Sequence, residues 1–333
     1  MFTRREFLIA SGVALALGRH GLARAADSAA SPGFKLFDAH CHLRSDDLVR
    51  YPRAPKVQTA PGTPSGPPGT EDPHANRETP SVEAVLAWMD ANNVAGGAAV
   101  QHRLSYGFDN RYILDSSDAH PDRLVPVCIF DAEDPATPAR IRAGVRDHGL
   151  AGLRLTGPQA EDGTFPWLSS QAALATWAAA NEHGLSIDLM TVPPGPNPAA
   201  FSEYARLARQ FPRVRLVLNH IGWLKDEGAP DFGLSAAQVA LREQKNIYYK
   251  FTTINIDLLD KAGLSPADTL RHIVDAYGAD HVLWGSDVGN SVGPYSRLVD
   301  VAVAASARLT AAEKRAVLHD TGKYVYARGG RID

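Results

Sequence analysis

Cysteine is almost missing from this 333-residue chain: only Cys41 and Cys128 occur, so no disulfide framework can hold the fold together. If Cys41 sits on a first strand and Cys128 on a third, the intervening strand sets them at nearly twice the strand spacing of about 4.8 Å, beyond a disulfide's reach of about 7 Å. An excess of one charge is missing too. With 34 basic against 37 acidic residues the net charge is -3, and no basic stripe or run of like charge offers a surface to phosphate backbones or lipid headgroups. Nucleic acid is therefore not an expected partner. The apolar stretch Ile9 to Leu17 is too short to cross a bilayer, and no Gly-rich phosphate loop follows the first strand-like run, which disfavours a nucleotide-binding, doubly wound sheet.

That short apolar stretch has its own meaning. It follows Thr3-Arg4-Arg5-Glu6-Phe7-Leu8 and leads to Ala23-Arg24-Ala25, the layout of an export signal of twin-arginine type, with cleavage expected after Ala25. The mature chain is then expected to be periplasmic, with no stable membrane insertion. Residues 31–333, in a chain that is 44% hydrophobic and 21% charged, fit one barrel-sized globular domain.

Short apolar runs punctuate the mature chain at 35–38, 97–101, 124–130, 152–155, 185–189, 215–218, 247–252 and 281–284. Helical spacing separates them, as in Val82, Val85, Leu86 and Met89 behind Thr79-Pro80-Ser81, and in the stretches 174–182, 201–210, 269–277 and 311–318. Strand followed by helix eight times over is the order of an α/β (β/α)8 TIM barrel. One segment breaks the rhythm: from Arg44 to Thr79 prolines are too dense for regular structure, so a long Pro/Gly-rich loop is expected over the barrel mouth after the first strand.

The chemistry-bearing residues cluster at strand ends. In a strand, Asp38, His40 and His42 would share one face, and two imidazoles aimed with a carboxylate suit a divalent ion, zinc foremost. His220 closes Val214 to Leu218 and Asn219, and Asp287 closes His281 to Ser286, so His40, His42, His220 and Asp287 form the candidate metal set.

With Asp38-Ala39-His40-Cys41-His42 on the first strand, Asn219-His220-Ile221-Gly222 at the sixth and Gly285-Ser286-Asp287 at the eighth, the chain resembles the amidohydrolase-related family of barrel hydrolases. Tyr106 to Tyr112, Gly152-Leu153-Arg154 and Tyr249-Lys250-Phe251 extend the likeness over nearly all of the mature chain, closest to the branch of sugar-lactone and pyrone-dicarboxylate lactonases. Metal-dependent decarboxylases and hydratases of the family place a histidine after the fifth strand, where this chain reads Ser186-Ile187-Asp188-Leu189-Met190; His183 lies before that strand, at the wrong end. The departure points toward the lactonase branch, in which some members hydrolyse without a metal.

The resemblance implies hydrolysis of a lactone, with Asp287 as the general base and His40, His42 and His220 polarising the carbonyl through an ion or as bare hydrogen-bond donors. Asp287 could instead cap a following helix. Asp38 is expected behind the histidines, fixing their tautomer. Arg154, His102, Arg103 and Lys250 are the candidate substrate contacts, with a salt bridge or hydrogen bond within the barrel rim as the alternative for the first three; a buried Lys250 would need a carboxylate partner, and Asn110 reads as a helix cap. The expected partner is a small-molecule substrate, and a homo-oligomer is left open. Two alternatives remain: a metal-dependent decarboxylase or hydratase with Asp188 replacing the missing imidazole, and a periplasmic binding protein on a disabled barrel.

Overall fold

The computed structural model describes residues 32–54, 80–192 and 194–330. The export signal read at 1–25, with Arg4 and Arg5, lies outside the described residues, as do Thr79 and most of the proline-dense stretch, 55–79. Contacts gather Ser31–Asp333 into one compact unit.

All eight expected strands form: β1 (Leu36–Cys41), β2 (Val94–Val100), β3 (Leu124–Ile129), β4 (Gly152–Pro158), β5 (Ser186–Val192), β6 (Arg215–Leu218), β7 (Ile247–Thr252) and β8 (Val282–Gly285). They pair in parallel in strict order from β1 to β8. Every residue of β1, β6, β7 and β8 is buried, as strands covered on both faces require. The sheet closes beyond the end of β8: Cys41 bridges Val288, the Asp287 N–H donates to the His40 carbonyl at 2.8 Å, and the His42 N–H donates to the Val288 carbonyl at 3.1 Å. That seam brings the two ends of the chain's chemistry together.

Helices cover the outside. α1 (Val82–Ala91) is capped by Ser81, whose Oγ accepts from the Ala84 N–H, so the helix starts two residues later than a Thr79 cap with Pro80 in first place would have it. α2 (Arg111–Ala119), α3 (Thr137–His148), α4 (Gln171–His183) and α5 (Pro198–Gln210) follow in alternation with the strands. α6 (Ala236–Ala240) is a single turn before β7, α7 (Thr253–Lys261) and α8 (Pro266–Tyr277) separate β7 from β8, and α9 (Tyr295–Ala305) and α10 (Thr321–Val325) complete the chain. Among the described residues no helix is long and apolar enough to cross a membrane.

Two apolar clusters hold the fold. The larger lies between strands and helices; the smaller fills the barrel with Phe37, Ala39, Ala98, Val127, Ala151, Val217, Tyr248 and Leu283, joined by Val325 and Tyr326 from the end of α10. Cys41 and Cys128 are both buried and free. The Arg44 N–H donates to the Pro80 carbonyl at 2.9 Å, so the two described ends of the long connection after β1 meet.

Candidate active site

β1 does not run in plain alternation. Its pairing with β2 shifts between Asp38 and Cys41, which separates Asp38 from the two histidines it was expected to join. Asp38 accepts from the backbone N–H groups of His40 (3.0 Å) and Ser286 (2.8 Å), from Ser286 Oγ (2.6 Å) and from the Tyr295 hydroxyl of α9 (3.0 Å). It touches neither imidazole. Its task is to pin the backbone before His40 to the turn that carries Asp287, and burial raises its carboxyl against those four lowering hydrogen bonds.

Past the shift, His40 and His42 turn toward Asp287. His40 Nε2 and His42 Nε2 stand 3.2 Å apart and lie 3.4 and 3.2 Å from Asp287 Oδ1. Gly285 makes the approach possible, since a Cβ there would meet the His40 Cβ at 2.5 Å. Asp287 itself has φ 54°, a strained left-handed conformation for a non-glycine residue, held by the closing seam. Its side chain caps no helix. Oδ1 accepts from Asn290 Nδ2 at 3.3 Å, while Oδ2 is buried with no partner. Burial raises the carboxyl above the usual range, and the nearby His220 and Arg154 oppose the rise.

The four histidines of the site, His40, His42, His102 and His220, are held neutral. Burial lowers His42 and His102 to about 3 and His220 to about 4, and it carries His40 well down with help from the Lys250 charge. A backbone carbonyl can only accept, so His42 keeps its hydrogen on Nδ1 for Val100 O at 2.7 Å and leaves Nε2 bare. His220 sits in a run of positive φ from His220 to Trp223 just past β6. Its Nδ1 meets Thr252 Oγ1 at 2.7 Å, and that hydroxyl donates to Asn255 Oδ1 at 3.2 Å, so Nδ1 carries the hydrogen and Nε2 is bare again. The His220 ring lies 5.9 Å from that of His40, within the cluster but outside the tightest group of possible ligands, which among the described residues is His40, His42 and Asp287.

These three fit a divalent ion in spacing, because bonds of about 2.0–2.1 Å in a tetrahedron set neighbouring ligand atoms about 3.4 Å apart. The orphaned Asp287 Oδ2 and the bare Nε2 of His42 fit as well.

The expected substrate contacts divide. Arg154 on β4 is 6% exposed, its Nε has no partner among the described residues, and its hydrogen bond there runs to the Met190 sulfur, a weak acceptor, at 3.7 Å. It is a buried guanidinium with no carboxylate bound to it. Arg103 donates to Thr156 Oγ1 at 2.6 Å and lines a 340 Å³ cavity with Phe108, Phe130, Asp131 and Trp167 beside the ends of β3 and β4, which none of the three candidate ligands lines. His102 does not present a free nitrogen to a substrate: Ser105 Oγ lies 2.7 Å from Nδ1 and Asn290 Oδ1 lies 2.9 Å from Nε2. Since Asn290 Nδ2 donates to Asp287, His102 stands behind the base.

Lys250 likewise moves from substrate contact to support. Fully buried, its ammonium donates to Asp188 Oδ2 at 2.5 Å and meets His40 Nδ1 at 3.1 Å. The expected carboxylate partner is thus Asp188, whose other oxygen accepts from the Tyr326 hydroxyl at 2.5 Å. Asp188 therefore does not take the place of the missing imidazole. Asn110 holds the N-cap position of α2 as expected, but its side chain does not cap the helix: its amide brackets the Ile129 backbone, donating to O and accepting from N at 2.9 Å each. Ser105, Asn290, Thr252 and Tyr326 went unread in the sequence, where nothing but their fold position distinguishes them.

Comparison with known proteins agrees with the barrel fold. An L-fucono-1,5-lactonase of Burkholderia ambifaria is 26% identical over 196 residues, which are 57% of this chain and 62% of that protein, so the chain matches less than two thirds of this curated relative. A probable 2-pyrone-4,6-dicarboxylic acid hydrolase of Acinetobacter baumannii, solved with citric acid bound, superposes with a TM-score of 0.63 at 15% identity over 88% of this chain and 99% of its own. A 5-carboxyvanillate decarboxylase of Novosphingobium aromaticivorans, solved with manganese, shares the fold at a TM-score of 0.60 and 14% identity over 89% and 96%. The family model for amidohydrolases (Amidohydro_2) matches residues 37–328, nearly the whole described barrel, and the chain belongs to that family.

Proposed function

We propose that this chain is a hydrolase that opens a lactone, with Asp287 as its base. The observation that carries the reading is Asp287 Oδ2: a buried carboxylate oxygen without a partner, beside neutral imidazoles, with its other oxygen anchored. Water placed there loses a proton to Asp287 as its oxygen bonds to the carbonyl carbon. The ring C–O bond then breaks, and the departing alkoxide takes the proton back from Asp287. A divalent ion held by His40, His42 and Asp287 would polarise the carbonyl when bound.

Arg154 narrows the substrate. An unpaired buried guanidinium calls for an anion, and its planar fork suits a carboxylate, either one already on the lactone or the one released by ring opening. The lactone names of two relatives support the class, while the engagement of Asp188 with Lys250 and Tyr326 disfavours a decarboxylase site built on it. A binding protein would need no raised, orphaned carboxylate. The test is turnover of a panel of sugar-acid and carboxylated lactones: hydrolysis by the wild type, lost in Asp287→Asn, supports the reading, and no turnover across the panel refutes it. With this goes the proposal of export through Arg4 and Arg5; replacing both by lysine should leave precursor in the cytoplasm, and undiminished periplasmic protein would rule out the twin-arginine route.

A further inference from the structure

The buried group that this mechanism leaves idle is the chain Tyr326–Asp188–Lys250 beneath His40. Both oxygens of Asp188 accept, one from the Tyr326 hydroxyl and one from Lys250, and the Lys250 ammonium also stands over the Tyr326 ring at 4.8 Å. These contacts fix where the ammonium points. Its next neighbour is His40 Nδ1 at 3.1 Å, and an ammonium has hydrogens to give and no lone pair to offer. His40 Nδ1 must then accept, which leaves the single ring hydrogen of the neutral imidazole on Nε2. The facing groups agree with that polarity: His42 Nε2 is bare because Nδ1 serves Val100, and Asp287 Oδ1 is an acceptor.

We propose that Lys250, held by Asp188 and Tyr326, is a positioning residue that fixes His40 as the tautomer with its hydrogen on Nε2. His40 is thereby a hydrogen-bond donor aimed at the reacting centre, and an ion can use its Nε2 only after that hydrogen has left. The three candidate ligands consequently have the spacing of a metal site and the hydrogen placement of a donor site. The use of His40 as a donor to the carbonyl rests on the lactone reading; the tautomer does not, and it is read on the free enzyme.

Two measurements test it. In the wild type labelled with ¹⁵N-histidine, the His40 resonances, assigned by their loss in His40→Gln, should show the Nε2–H pattern; an Nδ1–H pattern overturns the proposal whatever substrate the enzyme takes. In Lys250→Met/Asp188→Asn both charges of the pair go together, so the net charge near the ligands is unchanged while the constraint on Nδ1 is lifted. Zinc should then bind at least about tenfold more tightly than to the wild type. Equal affinity in the folded variant overturns the proposal, and if the variant does not fold, the wild-type tautomer alone decides. Failure of the lactone panel with an Nε2–H His40 would instead refute only the proposed function.

Discussion

The barrel interior has two ends of opposite character a few residues apart on the same strands. Ala39 and Tyr248 belong to the apolar plug closed by Val325 and Tyr326, while the next inward positions, His40 and Lys250, belong to a cluster of ionisable groups as fully buried as the plug. The plug gains from burial, about 25 cal/mol for each Å² of apolar surface removed from water. The cluster loses by it: desolvation is the largest cause of the shifts at Asp287, His40, His42, His220 and Lys250. A fold keeps such groups buried only where the lower end and the helical shell supply enough stability to offset them, and that imbalance is what a function-bearing end looks like.

The sharpest separation of the two ends comes from paired variants. Asp287→Asn should lower kcat by about 10²- to 10⁴-fold with no loss of melting temperature, because a neutral amide is easier to bury than a carboxylate. Leu283→Ala, in the plug, should do the reverse and lower unfolding free energy by about 2–5 kcal/mol while the folded fraction keeps its turnover. Steady-state kinetics beside denaturant unfolding read both. Comparable stability losses in the two variants would erase the distinction.

Acid should attack the upper end alone. His42 and His102 titrate near 3 and His220 near 4 when folded, against 6.5 when unfolded, so between these values the unfolded chain binds more protons than the native one. Their contribution is fully present above about 6.5 and is lost as the pH falls toward the folded values, at about 1.4 kcal/mol per pH unit for each histidine. Asp38 and Asp287, raised when folded, work in the opposite sense at the acid end, so the steepest loss falls just below 6.5. Urea unfolding at pH 7.5 and 5.5 measures the slope, and His102→Gln should flatten it by one histidine's share; an unchanged slope would mean that His102 is not held neutral.

Arg154 sharpens the comparison from the other side, as a buried charge whose removal should not harm the fold. With no carboxylate partner to abandon, Arg154→Met should keep or raise the melting temperature. It should lower kcat/KM by about 10- to 100-fold on carboxylated lactones, the worth of a charged hydrogen bond of about 1.5–3 kcal/mol, chiefly through KM. An equal loss on lactones without a second carboxylate would assign Arg154 to the newly formed carboxylate instead.

The lower end and the strand order were legible in the sequence because the strands read as short, largely apolar runs, broken in β4, β5 and β7 by Arg154, Asp188 and Lys250. His40, His42 and Asp287 were legible because polar residues ending such runs stand out. What escaped depends on departures from regular geometry. Alternation places Asp38 beside His40, but the register shift in β1 turns it to Ser286 and Tyr295. Lys250 was expected to need a carboxylate, yet that Asp188 and Tyr326 would supply its surroundings depends on β5, β7 and the end of α10 converging inside the barrel. His102 looked like a rim contact because its partners, Ser105 in the one-turn helix Arg103–Tyr106 and Asn290 in the turn after β8, lie on connections whose paths no periodicity records.

Those partners of His102 give the smallest and most discriminating effect. The Ser105 hydroxyl donates to His102 Nδ1, His102 Nε2 donates to Asn290 Oδ1, and Asn290 Nδ2 donates to Asp287 Oδ1, the last at a long 3.3 Å. Asn290→Ala removes that last hydrogen bond together with the one from His102, but only the former touches the base, and it is worth about 1 kcal/mol, so kcat should fall about fivefold rather than by orders of magnitude. The direction of the pH profile carries more information than the size. The Asn290 hydrogen bond lowers the Asp287 carboxyl, so without it the carboxyl rises further and the acid limb of kcat against pH should move to higher pH. A fivefold loss with an unmoved limb would make Asn290 a packing residue of the loop after β8; a moved limb would extend the upper end's network through His102 to Ser105, and with it the reach of the functional region beyond the barrel strands.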